Sequence, residues 1–234
     1  MIRSALRGIA VCGAALAAVV LFAGRGASAA VAAPSPVVGA GLASAAGDEV
    51  AVFSGGCFWG VQAVFQHMNG VTGAVSGYTG GSLKNPGYSQ VSTGTTGHAE
   101  SVRVTFDPSK VSYAELLRVF FSVATDPTEL NYQGPDHGTQ YRSVLWYTTA
   151  AQQNTAKAYI DQLTKAKTYA NKIVTEVKPA QTFYNAEGYH QDYASLHPDD
   201  GYIAYNDAPK VVNLKKLYPA LYREQPVLVG STQP

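Results

Sequence analysis

A cysteine with the features of a nucleophile, Cys57, lies in the segment Gly55–Gly60, whose sequence is GGCFWG. The preceding run Val50–Phe53 predicts a short buried strand, and the two glycines permit a tight turn into a helix. A thiol at a helix N-terminus faces unpaired N–H groups and the positive end of the dipole, which favour the reactive thiolate. The same pattern would also fit a buried, unreactive cysteine. Phe58 and Trp59 could wall a small apolar pocket beside the sulfur.

An acidic residue, Glu100, falls on the apolar face of a predicted strand over residues 99–106, in which Val102 and Val104 alternate with polar side chains. A carboxylate on the buried side of a strand is costly unless it is paired or protonated. Glu100 is therefore either a functional acid or a strand-end residue that turns out to solvent.

The remaining elements that must position these groups follow from periodicity and capping. Strands are predicted over residues 71–78, 143–147 and 174–178, and a long loop rich in Gly, Ser and Thr over 79–97. Ser112 and Thr149 are predicted helix caps, the second for a helix to about residue 168, and further helices are predicted over 188–196 and 209–217, the last capped by Asp207. Strands and helices without strict βαβ repetition favour an α+β fold.

The first 29 residues have the layout of a secretory signal. Arg3 and Arg7 precede an apolar stretch, and Ala27–Ala29 offers small residues for cleavage, although an uncleaved anchor would fit as well. We expect a signal peptide over residues 1–29, a flexible linker over 30–47, a single domain over 48–225 and a tail over 226–234. The expected location is exported, in the periplasm of a Gram-negative cell.

The charge balance and the cysteine count restrict the partners. The chain has 17 basic and 16 acidic residues, and removing the predicted signal with its three arginines leaves a net charge of −2. This balance leaves no excess of positive charge, which a nucleic-acid-binding surface would need. Cys12 would leave with the signal, so a single thiol remains, which suggests chemistry rather than a disulfide. The five histidines lack metal-binding spacing, so we expect no metal. We also expect no bound cofactor and a monomer.

Several motifs together resemble the peptide methionine sulfoxide reductase A family. They are GCFWG at residues 56–60, GYTGG at 77–81, GTTGHAE at 94–100 and HGTQYRS at 137–143, and the resemblance runs from about Glu49 to Arg223. The family fold is a two-layer α/β sandwich with a ferredoxin-like mixed sheet and packed helices. The resemblance implies reduction of methionine (S)-sulfoxide, free and in proteins, and therefore repair of oxidatively damaged exported proteins.

The resemblance also implies a role for individual residues. Cys57 is the nucleophile, and Glu100 is the acid that protonates the sulfoxide oxygen. Attack would leave Cys57 as a sulfenic acid. The other implied positions hold the substrate: Phe58 and Trp59 seat its S-methyl group, Tyr88 and Tyr141 hydrogen-bond its oxygen, and Asp136 supplies a further carboxylate.

The chain departs from many family members in its C-terminal region, because residues 198–234 contain no cysteine that could resolve the sulfenic acid. Regeneration must then come from an external thiol reductant, either a thioredoxin-like donor or a small thiol.

Two other classes of function use the same motifs. A cysteine hydrolase would pair Cys57 with His98 or His137 as base, and would act on esters or amides. A binding module for methionine-bearing peptides would need no thiol, so that Cys57→Ser would leave ligand binding intact.

Overall fold

The computed structural model describes residues 30–43 and 47–231. The predicted signal peptide over residues 1–29 lies outside this part of the chain, as do the last three residues of the predicted tail. Within the two described ranges, no helix is both long enough and apolar enough to cross a membrane.

A six-stranded mixed sheet forms the centre of the fold. Its order is β7-β6-β1-β3-β2-β8, with β6 and β7 parallel and the other neighbours antiparallel. Two further strands, β4 and β5, form a separate short hairpin. The bounds are β1 Glu49–Gly55, β2 Val71–Thr79, β3 Ala99–Phe106, β4 Tyr132–Gln133, β5 Asp136–His137, β6 Ser143–Tyr147, β7 Glu176–Pro179 and β8 Tyr184–Asn185.

In the described ranges, six α-helices accompany the sheet: α1 Phe58–Gln66, α2 Tyr88–Val91, α3 Tyr113–Val119, α4 Ala150–Lys165, α5 Tyr193–Leu196 and α6 Ala208–Leu217. The Ser112 hydroxyl accepts the Glu115 N–H, and the Thr149 hydroxyl accepts the Gln152 N–H, so both predicted caps are present. The predicted loop over 79–97 contains α2, and the predicted helix over 188–196 is divided into a 3₁₀ turn and α5. The α+β fold class is confirmed.

The hydrophobic core lies where β1 and β3 meet α1 and α3. Phe53 on β1 stacks against Phe65 of α1 with ring centroids 4.8 Å apart, and against Phe120 at 5.2 Å. Leu116 and Leu117 of α3 are fully buried in the same cluster. This packing fixes α1 on the sheet, and therefore fixes the residue at its N-terminus.

The residues that precede the sheet are packed rather than free. The Val31 N–H donates to the Ser122 carbonyl at 3.1 Å, and the Tyr159 hydroxyl donates to the Pro34 carbonyl at 2.8 Å. Ala33 is buried among these contacts. Residues 31–34 pack against the domain, because small side chains let this backbone approach the core closely.

The described part of the predicted C-terminal tail also returns to the domain. The Val227 N–H donates to the Gln66 carbonyl at 3.1 Å, and the Val229 N–H donates to the Asp192 carboxylate at 3.0 Å. Residues 227–229 therefore cover the C-terminal end of α1. The packed domain extends beyond the predicted boundary at residue 225.

Candidate active site

Cys57 occupies the turn between β1 and α1, at the position that caps α1. Gly56 has a φ of +97°, a conformation that favours glycine, and a Cβ there would lie 2.6 Å from the Cβ of Gln133. The cysteine itself is 8% exposed. The GGC sequence therefore serves a close approach between the turn and the β4–β5 hairpin, and places the sulfur at the helix N-terminus as predicted.

Glu100 lies on the buried face of β3 and is 2% exposed. The backbone N–H of Phe58 donates to Glu100 Oε2 at 3.0 Å, so the carboxyl group is bonded to the residue that follows Cys57. Burial raises the pKa of Glu100 to about 8, against the opposing effect of the Phe58 N–H and with a further rise from Asp136 and Asp207. At neutral pH Glu100 is therefore mostly protonated and can donate a proton.

Two tyrosines lie beside this acid. Tyr88 begins α2, where its N–H donates to Glu187 Oε1 at 2.8 Å, and Tyr141 ends the 3₁₀ turn Thr139–Tyr141. Burial, and then the negative charge of Glu100, raises the pKa of both phenols. Neither hydroxyl has a hydrogen-bond partner within the described residues, so both can donate to a ligand.

Asp136 is held on the β4–β5 hairpin by a residue that the sequence analysis did not single out. The Tyr202 hydroxyl donates a short hydrogen bond to Asp136 Oδ2. Burial raises the pKa of Asp136, and the bond from Tyr202 opposes that rise. Tyr202 follows a polar turn and carries no periodic signal, so only the folded chain reveals its contact.

The two aromatic residues after Cys57 point to different surroundings. Phe58 is buried, with its ring 5.0 Å from that of His190. Trp59 is partly exposed, stacks on Tyr193 at a centroid distance of 4.0 Å, and donates its indole N–H to His190 Nδ1 at 3.2 Å. His190 was also missed as a site residue; it contacts both rings, which belong to the first turn of α1 directly after Cys57.

The surroundings of the resting sulfur favour the thiol over the thiolate. Burial raises the pKa of Cys57 well above its ordinary value, and the charges of Glu100 and Asp207 raise it further. The Trp59 N–H and Lys210 act in the opposite direction but do not compensate. Desolvation is the largest of these effects and opposes the thiolate that a helix N-terminus favours.

A buried ion pair lies against the first turn of α1. Asp207 was predicted to cap α6, but its side chain makes no capping bond. Instead Asp207 is fully buried, and Lys210 Nζ lies 3.0 Å from its Oδ1. Burial lowers the pKa of Lys210, but the charges of Asp207 and Cys57 outweigh it and raise the pKa overall. Asp207 lies at the N-cap position of α6, as predicted, but spacing does not reveal that its side chain packs against α1.

Gly60 is the residue that allows this close packing. A Cβ at Gly60 would lie 2.0 Å from Asp207 Oδ1 and 2.8 Å from Lys210 Nζ. We expect Gly60→Ala to lower the free energy of unfolding by about 2 kcal/mol or more, because the buried pair must move. Urea denaturation measures this change. Gly41→Ala is the matched control, since no atom lies within 4 Å of its Cβ position; equal stability of the two variants would contradict the expectation.

The two histidines required by a cysteine hydrolase are engaged elsewhere. His98 accepts the Gly81 N–H on Nδ1 at 3.2 Å, and its Nε2 pairs with the Leu83 carbonyl at 2.8 Å. His137 is exposed and stacks on Tyr132 at 5.4 Å. Neither ring has a recorded contact with Cys57 within the described chain, so this alternative lacks its base.

A cavity of about 100 Å³ reaches Cys57 from one side. Gln133, Asp136, Tyr202 and Lys210 are among its lining residues. Glu100, Phe58, Trp59, Tyr88 and Tyr141 do not line it. The sulfur is therefore approached by two groups of residues: one around Glu100, and one around this cavity.

Comparison with known proteins agrees with the motifs. The family model described as peptide methionine sulfoxide reductase matches residues 49–220. The chain is 60% identical over 188 residues to peptide methionine sulfoxide reductase MsrA 2 of Mesorhizobium japonicum, covering 80% of this chain and 96% of the relative. It is 49% identical over 178 residues to MsrA of Deinococcus radiodurans, covering 76% and 86%.

Two solved structures share the fold. The reduced form of Mxr1 from Saccharomyces cerevisiae has a TM-score of 0.60 at 32% identity, covering 70% of this chain and 92% of the yeast chain. Methionine sulfoxide reductase A of Corynebacterium diphtheriae has a TM-score of 0.56 at 32% identity, covering 73% and 88%.

The fold and the matched sequence define a methionine sulfoxide reductase. The chain belongs to the peptide methionine sulfoxide reductase A family. The predicted enzyme class, peptide-methionine (S)-S-oxide reductase, is confirmed by this membership.

Proposed function

We propose that the chain reduces methionine (S)-sulfoxide, free and in proteins, by direct attack of the Cys57 sulfur on the sulfoxide sulfur. The hydrogen bond from Phe58 N–H to Glu100 Oε2 carries this proposal. It holds a protonated carboxyl group beside the residue that bears the nucleophile. A sulfoxide needs both groups at one S–O bond, since its oxygen must gain a proton as its sulfur is attacked.

The proton balance follows from the resting state of the two groups. Glu100 donates its proton to the sulfoxide oxygen, and the Cys57 thiol releases its own proton as its sulfur forms a bond to the substrate sulfur. Glu100 takes up that second proton. The oxygen then passes to Cys57, the S–O bond of the substrate breaks, and methionine leaves. Cys57 ends as a sulfenic acid, having been oxidised by two electrons, and Glu100 is unchanged.

The neighbouring side chains orient the substrate. Tyr88 and Tyr141 donate hydrogen bonds to the sulfoxide oxygen, since their hydroxyls have no other partner within the described chain and both lie near Glu100. Trp59 and Phe58 hold the methyl group on an apolar surface. Asp136, fixed by Tyr202, positions the polar side of the substrate.

The chirality of the sulfoxide gives the test of this function. We expect the chain without residues 1–29 to reduce the S epimer of methionine sulfoxide with dithiothreitol, and to reduce the R epimer at least about 100-fold more slowly. Only one epimer can present its oxygen to Glu100 and its methyl group to Trp59 at the same time. Chiral chromatography of the substrate measures both rates. Equal rates for the epimers, or cleavage of esters or amides instead, would contradict the proposal.

Reduction of the sulfenic acid uses an external thiol. Cys57 is the only cysteine outside residues 1–29, so no second thiol in the domain can form a disulfide with it. One thiol of the reductant displaces the oxygen as water and forms a mixed disulfide with Cys57. A second thiol then attacks this disulfide and restores the Cys57 thiol. A thioredoxin-like dithiol or two small thiols supply both steps.

The location proposed for this activity is outside the cytoplasm. It rests on the leader-like sequence of residues 1–29, which lies outside the described residues. There the enzyme would repair oxidised methionines of exported proteins. Fractionation of cells that produce the full chain tests this, and recovery of the full-length form only in the cytoplasm would contradict it.

A further inference from the structure

The cavity beside Cys57 is built from different elements than the residues around Glu100. Its wall includes Lys210 and Asn213 of α6, Tyr202, Gln133 of β4 and Val31 of the N-terminal segment. Asp136 and Tyr202, which position the substrate in the proposed function, also line the cavity. Lys210, Asn213, Gln133 and Val31 have no role in holding the sulfoxide. The cavity, at about 100 Å³, has room for a small group such as a CH₂–SH. Its purpose is therefore not explained by the first half of the reaction.

The geometry of attack at sulfur separates the two halves of the cycle. A thiolate that displaces oxygen from a sulfenic acid approaches in line, on the side of the sulfur opposite to the S–O bond. In the proposed function the oxygen comes from the substrate and lies with Glu100, Tyr88 and Tyr141. The attacking thiol must then arrive from a side that these residues do not form.

The cavity wall carries the carboxylates of Asp126, Glu129 and Asp136 and the ammonium group of Lys210, and of these four charges it is Lys210 that lowers the pKa of Cys57. Its Nζ is held 3.0 Å from Asp207 Oδ1, and Asp207 is fully buried against Gly60 of α1. Lys210 lines the cavity together with Cys57. A cation beside a thiol favours the thiolate, the form that attacks sulfur. Asp207 does not line the cavity, so Lys210 is the end of the pair that an entering thiol meets.

We propose that the cavity lined by Lys210, Asn213 and Val31 admits the thiol of the external reductant to the Cys57 sulfenic acid, from a side of the sulfur that Glu100 does not form. This inference rests on the proposed function. The incoming thiolate, stabilised by Lys210, forms a bond to the Cys57 sulfur, and the S–O bond breaks. The oxygen leaves as water, with one proton from Glu100 and the proton of the sulfenic acid, and a mixed disulfide remains. The proton lost by the thiol returns to Glu100.

Blocking the cavity separates this access route from sulfoxide reduction. In Asn213→Trp a large ring fills a partly exposed position of the cavity wall, whereas Val212→Trp, the matched control, changes the next residue, which is exposed and outside the wall. A single turnover with the S epimer and no donor gives the rate of methionine release. Addition of dithiothreitol or thioredoxin to the oxidised chain then gives the rate of sulfenic acid loss.

We expect Asn213→Trp to slow sulfenic acid loss by at least about tenfold and to keep methionine release within about twofold of the unchanged chain. Val212→Trp should change neither rate. If Asn213→Trp folds poorly, a second pair of variants repeats the comparison in the N-terminal segment. Val31→Trp then blocks the cavity, and Ala32→Trp, at an exposed position outside the wall, is its control. A loss of methionine release in the unchanged chain would instead overturn the proposed function.

The two donors distinguish the source of the thiol. Slowing with both donors assigns the cavity to small and protein thiols alike, and slowing with dithiothreitol alone assigns it to small thiols. Slowing with thioredoxin alone would reflect a clash at the protein surface and would overturn the inference. So would an unchanged rate of sulfenic acid loss, or a parallel fall of both rates in a folded variant.

Discussion

Cys57→Ser is expected to reduce turnover of methionine (S)-sulfoxide by at least about 10⁴-fold, to the rate without enzyme. The serine hydroxyl cannot ionise near neutral pH and cannot take the oxygen as a sulfenic acid does. Since the residue is small and 8% exposed, the substitution changes little volume. Turnover with dithiothreitol, followed by chromatography of methionine, measures the effect.

Circular dichroism and urea denaturation of the same variant form the control. A buried hydroxyl without a partner costs about 1–3 kcal/mol, which the domain should tolerate. A folded variant that still reduces the sulfoxide would show that another residue is the nucleophile. A variant that loses turnover and keeps binding to sulfoxide-bearing peptides agrees with catalysis and excludes a role limited to binding.

Glu100→Gln should lower turnover by about 10²–10⁴-fold, since the amide keeps the shape of the side chain and cannot donate a carboxyl proton. The amide oxygen can still accept the Phe58 N–H, so the turn at Cys57 should remain in place. Single-turnover release of methionine measures the loss at the first step of the cycle. An unchanged rate would remove Glu100 from the chemistry.

The same substitution should stabilise the chain at alkaline pH. Burial raises the pKa of Glu100 from 4.5 to about 8, so between these values the folded chain keeps a proton that the unfolded chain has lost. Its contribution to stability is therefore full below pH 4.5, falls as the pH rises, and levels off above pH 8. Glutamine does not ionise and so removes this loss. We therefore expect the free energy of unfolding of Glu100→Gln to exceed that of the unchanged chain by about 4 kcal/mol at pH 8.

Urea denaturation at several pH values checks this dependence. The difference between the two chains should shrink as the pH falls and vanish near pH 4.5, where the Glu100 carboxyl is protonated in the folded chain. Glu49→Gln, at an exposed position, is the control and should show no such trend. A pH-independent difference would mean that Glu100 does not carry a raised pKa.

Local patterns were sufficient to predict the parts of the site that depend on one element. The alternation of residues 99–106 placed Glu100 on the buried face of β3, and the glycine turn placed Cys57 before α1. Ser112 and Thr149 cap their helices because capping depends on a few neighbouring residues. Such features need no knowledge of the rest of the fold.

Features that depend on distant segments could not be predicted in this way. Tyr202 reaches Asp136 across 66 positions, and Asp207 is buried because α6 crosses the first turn of α1. The raised pKa of Cys57 could not be predicted for the same reason, since the helix N-terminus is visible in the sequence and the desolvation around it is not. The packing of residues 31–34 likewise depends on partners far along the chain, such as Tyr159.

The most direct test of the account is the state of Cys57 after one turnover without a reductant. The chain without residues 1–29 is mixed with an excess of methionine (S)-sulfoxide, quenched with a reagent that traps sulfenic acids, and analysed by mass spectrometry. The account predicts about one methionine released per chain and the trapping reagent attached at Cys57. Release of methionine with Cys57 still a free thiol, or no release before a reductant is added, would contradict it.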